Sequence, residues 1–459
     1  MYLALVPSPH WLSAGDTSWQ LTAATLVGLM SIPGLALMYA GLMKRKWSLN
    51  SAAMTMYAFS ITLVVWTLWA YSMSFGSPIK VGPGLLGIPW PVNFASAEIN
   101  QASIPLLKGL MPPLQFPSAA LVYFQFVFAA ITVIILGGSL LGRMNFKAWM
   151  LFVPLWITFV YSVGAFALWG GGWLSQLGAV DYSGGYVIHV AAGTSGAIAA
   201  WVLGPRLLKD RESNNPSNLL IALAGAGLLW LGWNGFNGGD PYFAGGDAAA
   251  AVLNTNLATG TALVVWMFLD VFFKGRASLA GMISGMVCGL VGITPGAGYV
   301  DGFGAIIVGI VATAIPWMTS TYLVRLRFFQ RIDDTLGVMH THLFAGAAGG
   351  LLTGLLANPA MIVYYGTGKT ANVSVTGLFY GNPHQFAMQA VALVFIVAYN
   401  IVATFVIMKV VGLVVPLRMP AQHLEVGDEL VHGEVSLDLG QPHEGVIPTE
   451  FGLQFEPRT

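Results

Sequence analysis

Charged residues are so sparse in this chain that they mark out long apolar stretches by their absence. An uncharged interval of ~20 residues, rising about 1.5 Å per residue as a helix, crosses a ~30 Å hydrocarbon core. Read forward, such intervals place spans at Leu21–Leu42, Ala52–Phe75, Pro117–Leu141, Ala148–Trp169, Tyr182–Leu203 and Leu219–Phe236. They continue at Ala249–Asp270, Ser278–Ile293, Phe303–Val324, Thr335–Leu356 and Phe386–Val415. The pattern predicts an all-α integral membrane protein of about eleven transmembrane helices. Two segments break it: a Pro- and Gly-rich loop from Gly76 to Phe116, and a polar tail from Pro416 onward. The expected division is a membrane domain over residues 1–415 and a tail over 416–459.

Composition agrees with this reading. Hydrophobic residues make up 56% of the chain and charged residues 8%, where soluble domains carry about 25% charge. The 19 basic and 19 acidic residues cancel, which removes any global electrostatic argument for a nucleic-acid partner. The 56 glycines follow no collagen-like period and point to close helix packing in a bilayer. A single Cys288 excludes a disulfide framework and a thiolate metal cluster within one chain.

The basic residues also predict an orientation. With the N-terminus outside, sixteen of the nineteen fall on the cytoplasmic side. They are Lys44, Arg45, Lys46, Arg143, Lys147, Arg206, Lys209, Arg211, Lys274, Arg276, Arg325, Arg327, Arg331, Lys409, Arg418 and Arg458. Only Lys80, Lys108 and Lys369 fall outside, so the expectation is N-out and C-in with an odd number of spans. No basic segment followed by a short apolar run opens the chain, so no cleavable signal is expected. The tail holds eight acids, Glu425, Asp428, Glu429, Glu434, Asp438, Glu444, Glu450 and Glu456, and is too short for a second enzymatic domain.

One pattern occurs twice. Asp181-x7-His189-x2-Ala192-Gly193-x2-Gly196 returns as Asp334-x7-His342-x2-Ala345-Gly346-x2-Gly349, 153 residues later. The copies fall on the fifth and tenth expected spans. Five spans is odd, so the second copy must run the opposite way: an inverted repeat of spans 1–5 and 6–10, with the transport site expected between the halves. His189 and His342 then approach the midplane from opposite faces, where an ionisable group is costly and marks a substrate or proton path. The alternative is a histidine satisfied by a neighbouring helix carbonyl. His340 competes with His342 for the path, and periodicity alone does not choose between them. Asp181 and Asp334 each precede a span, where a carboxylate caps free N–H groups.

The chain resembles the ammonium transporter (Amt) family, the microbial and plant relatives of the Rhesus proteins, through motifs ordered along about 400 residues. They are Ile32-Pro33-Gly34, Tyr39-Ala40-Gly41-Leu42, Phe124-Gln125-Phe126-Val127-Phe128, Trp169-Gly170-Gly171-Gly172-Trp173 and Asp181 through His189. Gly232-Trp233-Asn234-Gly235-Phe236-Asn237-Gly238-Gly239, Ile293 through Tyr299, and Asp333-Asp334-Thr335 leading to His342 complete the set. The resemblance implies a homotrimer of eleven-helix subunits in the cell membrane, each with its own pore for ammonium or methylammonium, with no cofactor and no enzymatic activity. It implies an outer aromatic cage of Phe128 and Trp169, a gate of stacked Phe128 and Phe236, and paired pore imidazoles His189 and His342. Asp181 would support the recruitment site. It also implies docking of a trimeric PII signal protein near the tail, to which Leu417-Arg418 and His432-Gly433-Glu434 correspond loosely.

One position departs from the family pattern. Asp240 stands where many members have Ser, four residues after Phe236. Facing the vestibule, it would concentrate cations; in a water-exposed Asp240-Pro241 turn, it would do nothing. Trp169 likewise reads, on position alone, as part of an interfacial belt. Asp270 and Lys274 form an i,i+4 pair of structural type. Two competing functions remain: a sensor, which in this family usually carries a fused kinase or cyclase domain, and a metalloenzyme, for which two histidines lack a third close ligand.

The chemistry of ammonium suits these residues. Ammonium and potassium are alike in charge and size, but only ammonium can shed a proton and avoid the cost of an ion in an apolar core. Aromatic rings favour the cation by ~0.5–2 kcal/mol per contact. Two imidazoles can share a proton and offer ammonia both donor and acceptor.

Overall fold

The protein is described by a computed structural model covering residues 9–79, 84–212, 215–365, 372–436, 446–449 and 452–455. Lys80, Lys369 and Arg458, and the tail acids Asp438, Glu444, Glu450 and Glu456, lie outside the described residues.

Each expected span overlaps a helical stretch. Among the described residues, nine are long and apolar enough to cross a bilayer: α1 (Ala14–Leu42), α2 (Arg45–Phe75), α3 (Ser118–Gly137), α4 (Phe146–Gln176), α5 (Gly185–Leu203) and α6 (Leu219–Gly239), with α7 (Gly246–Lys274), α9 (Gly302–Arg325) and α11 (Pro383–Val414). The eighth, α8 (Leu279–Ile293), has 15 residues. The tenth, α10 (Ala345–Leu356), continues a π-helical turn at Met339–Phe344. The edges differ from expectation: α1 starts at Ala14 rather than Leu21, and α7 at Gly246 rather than Ala249. Asp16 and Asp247 lie in these first turns, where the free N–H groups of a helix favour carboxylates. Ser13, Asn145, Asn218, Ser278 and Asp301 cap the starts of α1, α4, α6, α8 and α9 through their side chains. Two antiparallel hairpins, Ile362–Tyr365 with Asn372–Ser374 and Val446–Thr449 with Gly452–Phe455, were not expected.

The two halves pack head to tail. Trp19 Nε1 and Gln20 Nε2, near the start of α1, donate to Gly238 O and Gly239 O at the end of α6 (2.8 and 2.6 Å). The far ends meet as well, since a Cβ on Gly41 would press into the α6 start at Asn218 and Ala222. α5 and α10 repeat the arrangement: Tyr186 at the start of α5 abuts Gly350 late in α10, and Arg206 just past α5 binds Asp333 just before the α10 turn. Corresponding helices of the halves are therefore antiparallel, as an inverted repeat requires. α3 is buried on nearly every side and forms the centre. The outer helices turn side chains such as Leu231, Phe303 and Leu413 outward, the apolar surface expected of helices facing lipid or further copies.

Six of the expected cytoplasmic basic residues, Lys44, Lys46, Arg143, Arg206, Lys209 and Arg418, gather at one end. Lys44 and Lys46 bridge to Asp210 (3.0 and 3.1 Å), Arg206 to Asp333 (2.9 Å), and Lys209 to Glu425. Fully buried Arg143 ties this end together by donating to Gly204 O (2.7 Å), Thr335 Oγ1 (2.7 Å) and Asp333 O. The tail docks here through two short helices, α12 (Ala421–Val426) and α13 (Asp428–His432). Asp428 accepts the Leu49 and Asn50 N–H groups early in α2 (2.8 and 2.9 Å), and His432 pairs with Asn50 Oδ1 (2.9 Å). The Asp270–Lys274 pair forms at 2.8 Å, with Trp317 Nε1 donating to the same carboxylate.

Candidate functional site at the junction of the two halves

The two copies of the repeated motif build the same local device. In each, an aspartate is followed three residues later by a glycine in the left-handed region: Gly184 at φ 111° and Gly337 at φ 73°. A wide π-helical turn then begins, Gly185–Val190 in one half and Met339–Phe344 in the other. Such turns are rare and cluster at functional sites. The shared Asp-x2-Gly spacing is visible in the sequence, but the histidine spacing drew attention away from it. Asp181 accepts N–H groups from Gly184 (3.2 Å), Tyr186 (2.9 Å) and Val187 (2.9 Å). Asp334 accepts the Met339 N–H (2.7 Å) through Oδ2, while its buried Oδ1 has no partner. Both aspartates thus cap the turns, as their positions predict.

The repeated glycines allow close approach of the halves. A Cβ on Gly193 would strike Leu343 of the other copy, and one on Gly346 would lie 2.7 Å from Gly185 O and 3.2 Å from His189 Cβ. This packing sets His189 and His342 against each other, Nδ1 to Nδ1 at 3.2 Å, both buried. A hydrogen bond between two Nδ1 atoms requires one proton between them and leaves both Nε2 atoms for other partners. His189 Nε2 is buried without any partner. His340 points elsewhere: its Nδ1 meets Thr319 Oγ1 of α9 (3.0 Å), and its ring stacks on Phe344. The structure therefore chooses His342 for the pair.

Aromatic rings continue from His189 away from the basic end. His189 stacks on Trp233 (5.3 Å, 19°), and Trp233 stacks on Phe236 (4.7 Å, 24°). Trp233, which sequence reading missed as a site residue, is held by its Nε1 on Thr294 Oγ1 (2.9 Å). Phe128 meets Phe236 at 4.5 Å, but tilted by 56° rather than stacked, an inclined approach that the ring quadrupoles favour over a face-to-face sandwich. Trp169 stands edge-on to Phe128 at 6.1 Å and donates its Nε1 to Asp181 O (2.7 Å). It joins the aromatic group rather than an isolated belt.

Asp240 begins the turn that follows α6 and is half-buried. It stands at the C-cap of α6, its Oδ2 is buried, and Ser183, whose hydroxyl donates to Phe236 O at 3.5 Å, lies beside its carboxyl. The loop carrying Ser183 is itself fixed, as Tyr182 N and Ser183 N donate to Pro295 O and Thr294 O (both 3.1 Å) in the Ile293–Tyr299 motif. On the other side of the histidines, a cavity of about 40 Å³ opens toward the basic end, lined by Tyr39, Ser284, Val338, Thr341 and His342. That volume suits one water-sized molecule. Among the described residues, no group of three or more His, Cys, Asp or Glu side chains could hold a metal ion.

Residues 18–437 match the Ammonium Transporter Family. The chain is 51% identical to Ammonium transporter 3 member 3 of Oryza sativa subsp. japonica, over 94% of this chain and 91% of that protein. It is 47% identical to Ammonium transporter 2 of Arabidopsis thaliana, over 98% and 93%. The crystal structure of Candida albicans Mep2 superposes with a TM-score of 0.78 at 28% identity, covering 91% of this chain and 89% of that one. With inverted halves meeting at a histidine pair and motifs matched along nearly its whole length, the chain belongs to the ammonium transporter family, a family of multi-pass membrane transporters and not of enzymes.

Proposed function

We propose that this protein moves ammonium across a membrane by recruiting the cation at the aromatic end, removing a proton, and passing ammonia along His189 and His342. The observation that carries the reading is the 3.2 Å Nδ1–Nδ1 contact between the repeats, with His189 Nε2 buried and unpartnered. Phe128, Trp169 and Asp240 form the recruitment site, where rings and a carboxylate both favour a cation. Phe128 and Phe236 are the gate, whose apolar closure penalises any species that stays charged. Asp181 and Asp334 hold the two turns that aim the imidazoles.

The same reading places the chain in the cell membrane, N-out and C-in, as a homotrimer whose 1–415 region forms the pore. The docked tail beside Lys44–Lys46 and Lys209 is the surface that a trimeric PII protein would meet. Purified protein in lipid vesicles should take up labelled methylammonium well above protein-free vesicles. Binding without uptake would contradict transport and favour a sensor.

A further inference from the structure

We propose that Asp240 is the group that accepts the proton from ammonium at the outer mouth, an inference that rests on the transport reading above. Asp240, the C-cap of α6, lies four positions after Phe236, so both lie on one helix face, with Asp240 about 6 Å nearer the aromatic end. Phe236 meets the gate partner Phe128 on that face. A cation resting on the Phe128–Trp169 rings is therefore bordered by the Asp240 carboxyl one turn above the gate.

The second carboxylate nearby, Asp181, is poorly suited to take a proton. Both of its oxygens accept backbone N–H groups, and protonation would uncap the turn that carries His189. Asp240 has the opposite character: its Oδ2 is buried and unpartnered, and no ion pair among the described residues includes it. The groups facing it are Asp181, Ser183 and Tyr161. Tyr161, 1% exposed on α4, also has a hydroxyl without a partner. At the rim of the same turn, Asp16 accepts the Ala244 N–H (2.7 Å) and Asp247 opens α7. The setting thus combines two carboxylates, an unpartnered phenol and no fixed cation among the described residues, so an arriving ammonium supplies neutralising charge and a transferable proton. In the step, an ammonium N–H bond breaks and an O–H bond forms on Asp240 Oδ2. Neutral ammonia passes the gate, and the acid returns its proton to vestibule water before the next cation arrives.

The test is methylammonium uptake into vesicles with fixed interior pH, while outer pH is varied over about 5 to 8, a range in which the substrate stays protonated. Uptake by the unaltered protein should fall toward the acid end as the acceptor fills. Asp240→Asn and Asp240→Ser should each lower uptake at least tenfold near neutral pH, and the uptake that remains should lack the acid limb. Asp240→Glu should keep a displaced limb. Size-exclusion profiles check folding, and the Ser and Glu variants carry the test if Asn is unstable. A limb unchanged in the Asn or Ser variant, or absent from the unaltered protein, overturns the assignment alone. No uptake by the unaltered protein overturns the transport reading and this proposal with it.

Discussion

The two copies of the Asp–Gly–π-turn–His device share a backbone and differ in what surrounds them. In the first copy, Asp181 is saturated by three N–H groups and His189 lies against Trp233, beyond which Phe236 and Phe128 meet. In the second, Asp334 keeps a bare Oδ1 and His342 borders a small cavity toward the basic end. The repeat supplies geometry, two imidazoles brought together by antiparallel helices. The surroundings supply direction, an aromatic closed side and a more open polar side.

Removing one imidazole should have the largest effect. His189→Leu leaves His342 Nδ1 without its partner in a buried place and should reduce methylammonium uptake at least tenfold, with the oligomer intact on size exclusion. Normal uptake would detach the histidine pair from transport.

Cap deletions sharpen the contrast in stability. Asp181→Ala strands three buried N–H groups, at ~1–3 kcal/mol each before relaxation, whereas Asp334→Ala strands one. Thermal unfolding in detergent should fall clearly further for the first, and equal shifts would refute the difference in engagement. The glycine step should matter less: Gly184→Ala and Gly337→Ala force a side chain into the left-handed region at ~1–2 kcal/mol. Gly184→Ala should cost more, because its Cβ would also meet Ile188.

The smallest effect is a pH response at the tail. Burial raises the Asp428 pKa to about 6 against the pull of the Asn50 and Leu49 N–H groups. A carboxyl whose docked pKa is raised contributes most below its undocked value, ~3.9, and loses that contribution as pH rises through about 6. Proteolysis between residues 417 and 433 should therefore be a few-fold slower at about pH 5 than at about pH 7, and Asp428→Asn should flatten the difference. Asp333 behaves oppositely. Burial opposes its ionisation, but the Arg206 hydrogen bond and the Arg143 charge prevail and lower its pKa, so its bridge persists into mild acid.

Much of this was legible in the sequence, because a bilayer makes charge placement nearly decisive. The spans follow from uncharged intervals, and the histidine pair follows from equal spacing in opposed halves. Other features depend on contacts distant in sequence. Ordinary helical periodicity gives no sign of the π-turns, and the direction of His340 is fixed by Thr319 on another helix. The neighbours of half-buried Asp240 include Ser183 and Asp181, some sixty residues earlier in the chain, on a loop that Thr294 and Pro295 hold in place. The tail latch was hidden because Asp428 caps a helix that begins nearly four hundred residues earlier.

The claim on which the rest depends is that the cargo passes the gate uncharged. Reconstituted wild-type protein exposed in turn to equal jumps of ammonium and potassium tests it directly. A saturating uptake with ammonium, and only the protein-free background with potassium, is the expected result; comparable uptake of both ions would contradict the account.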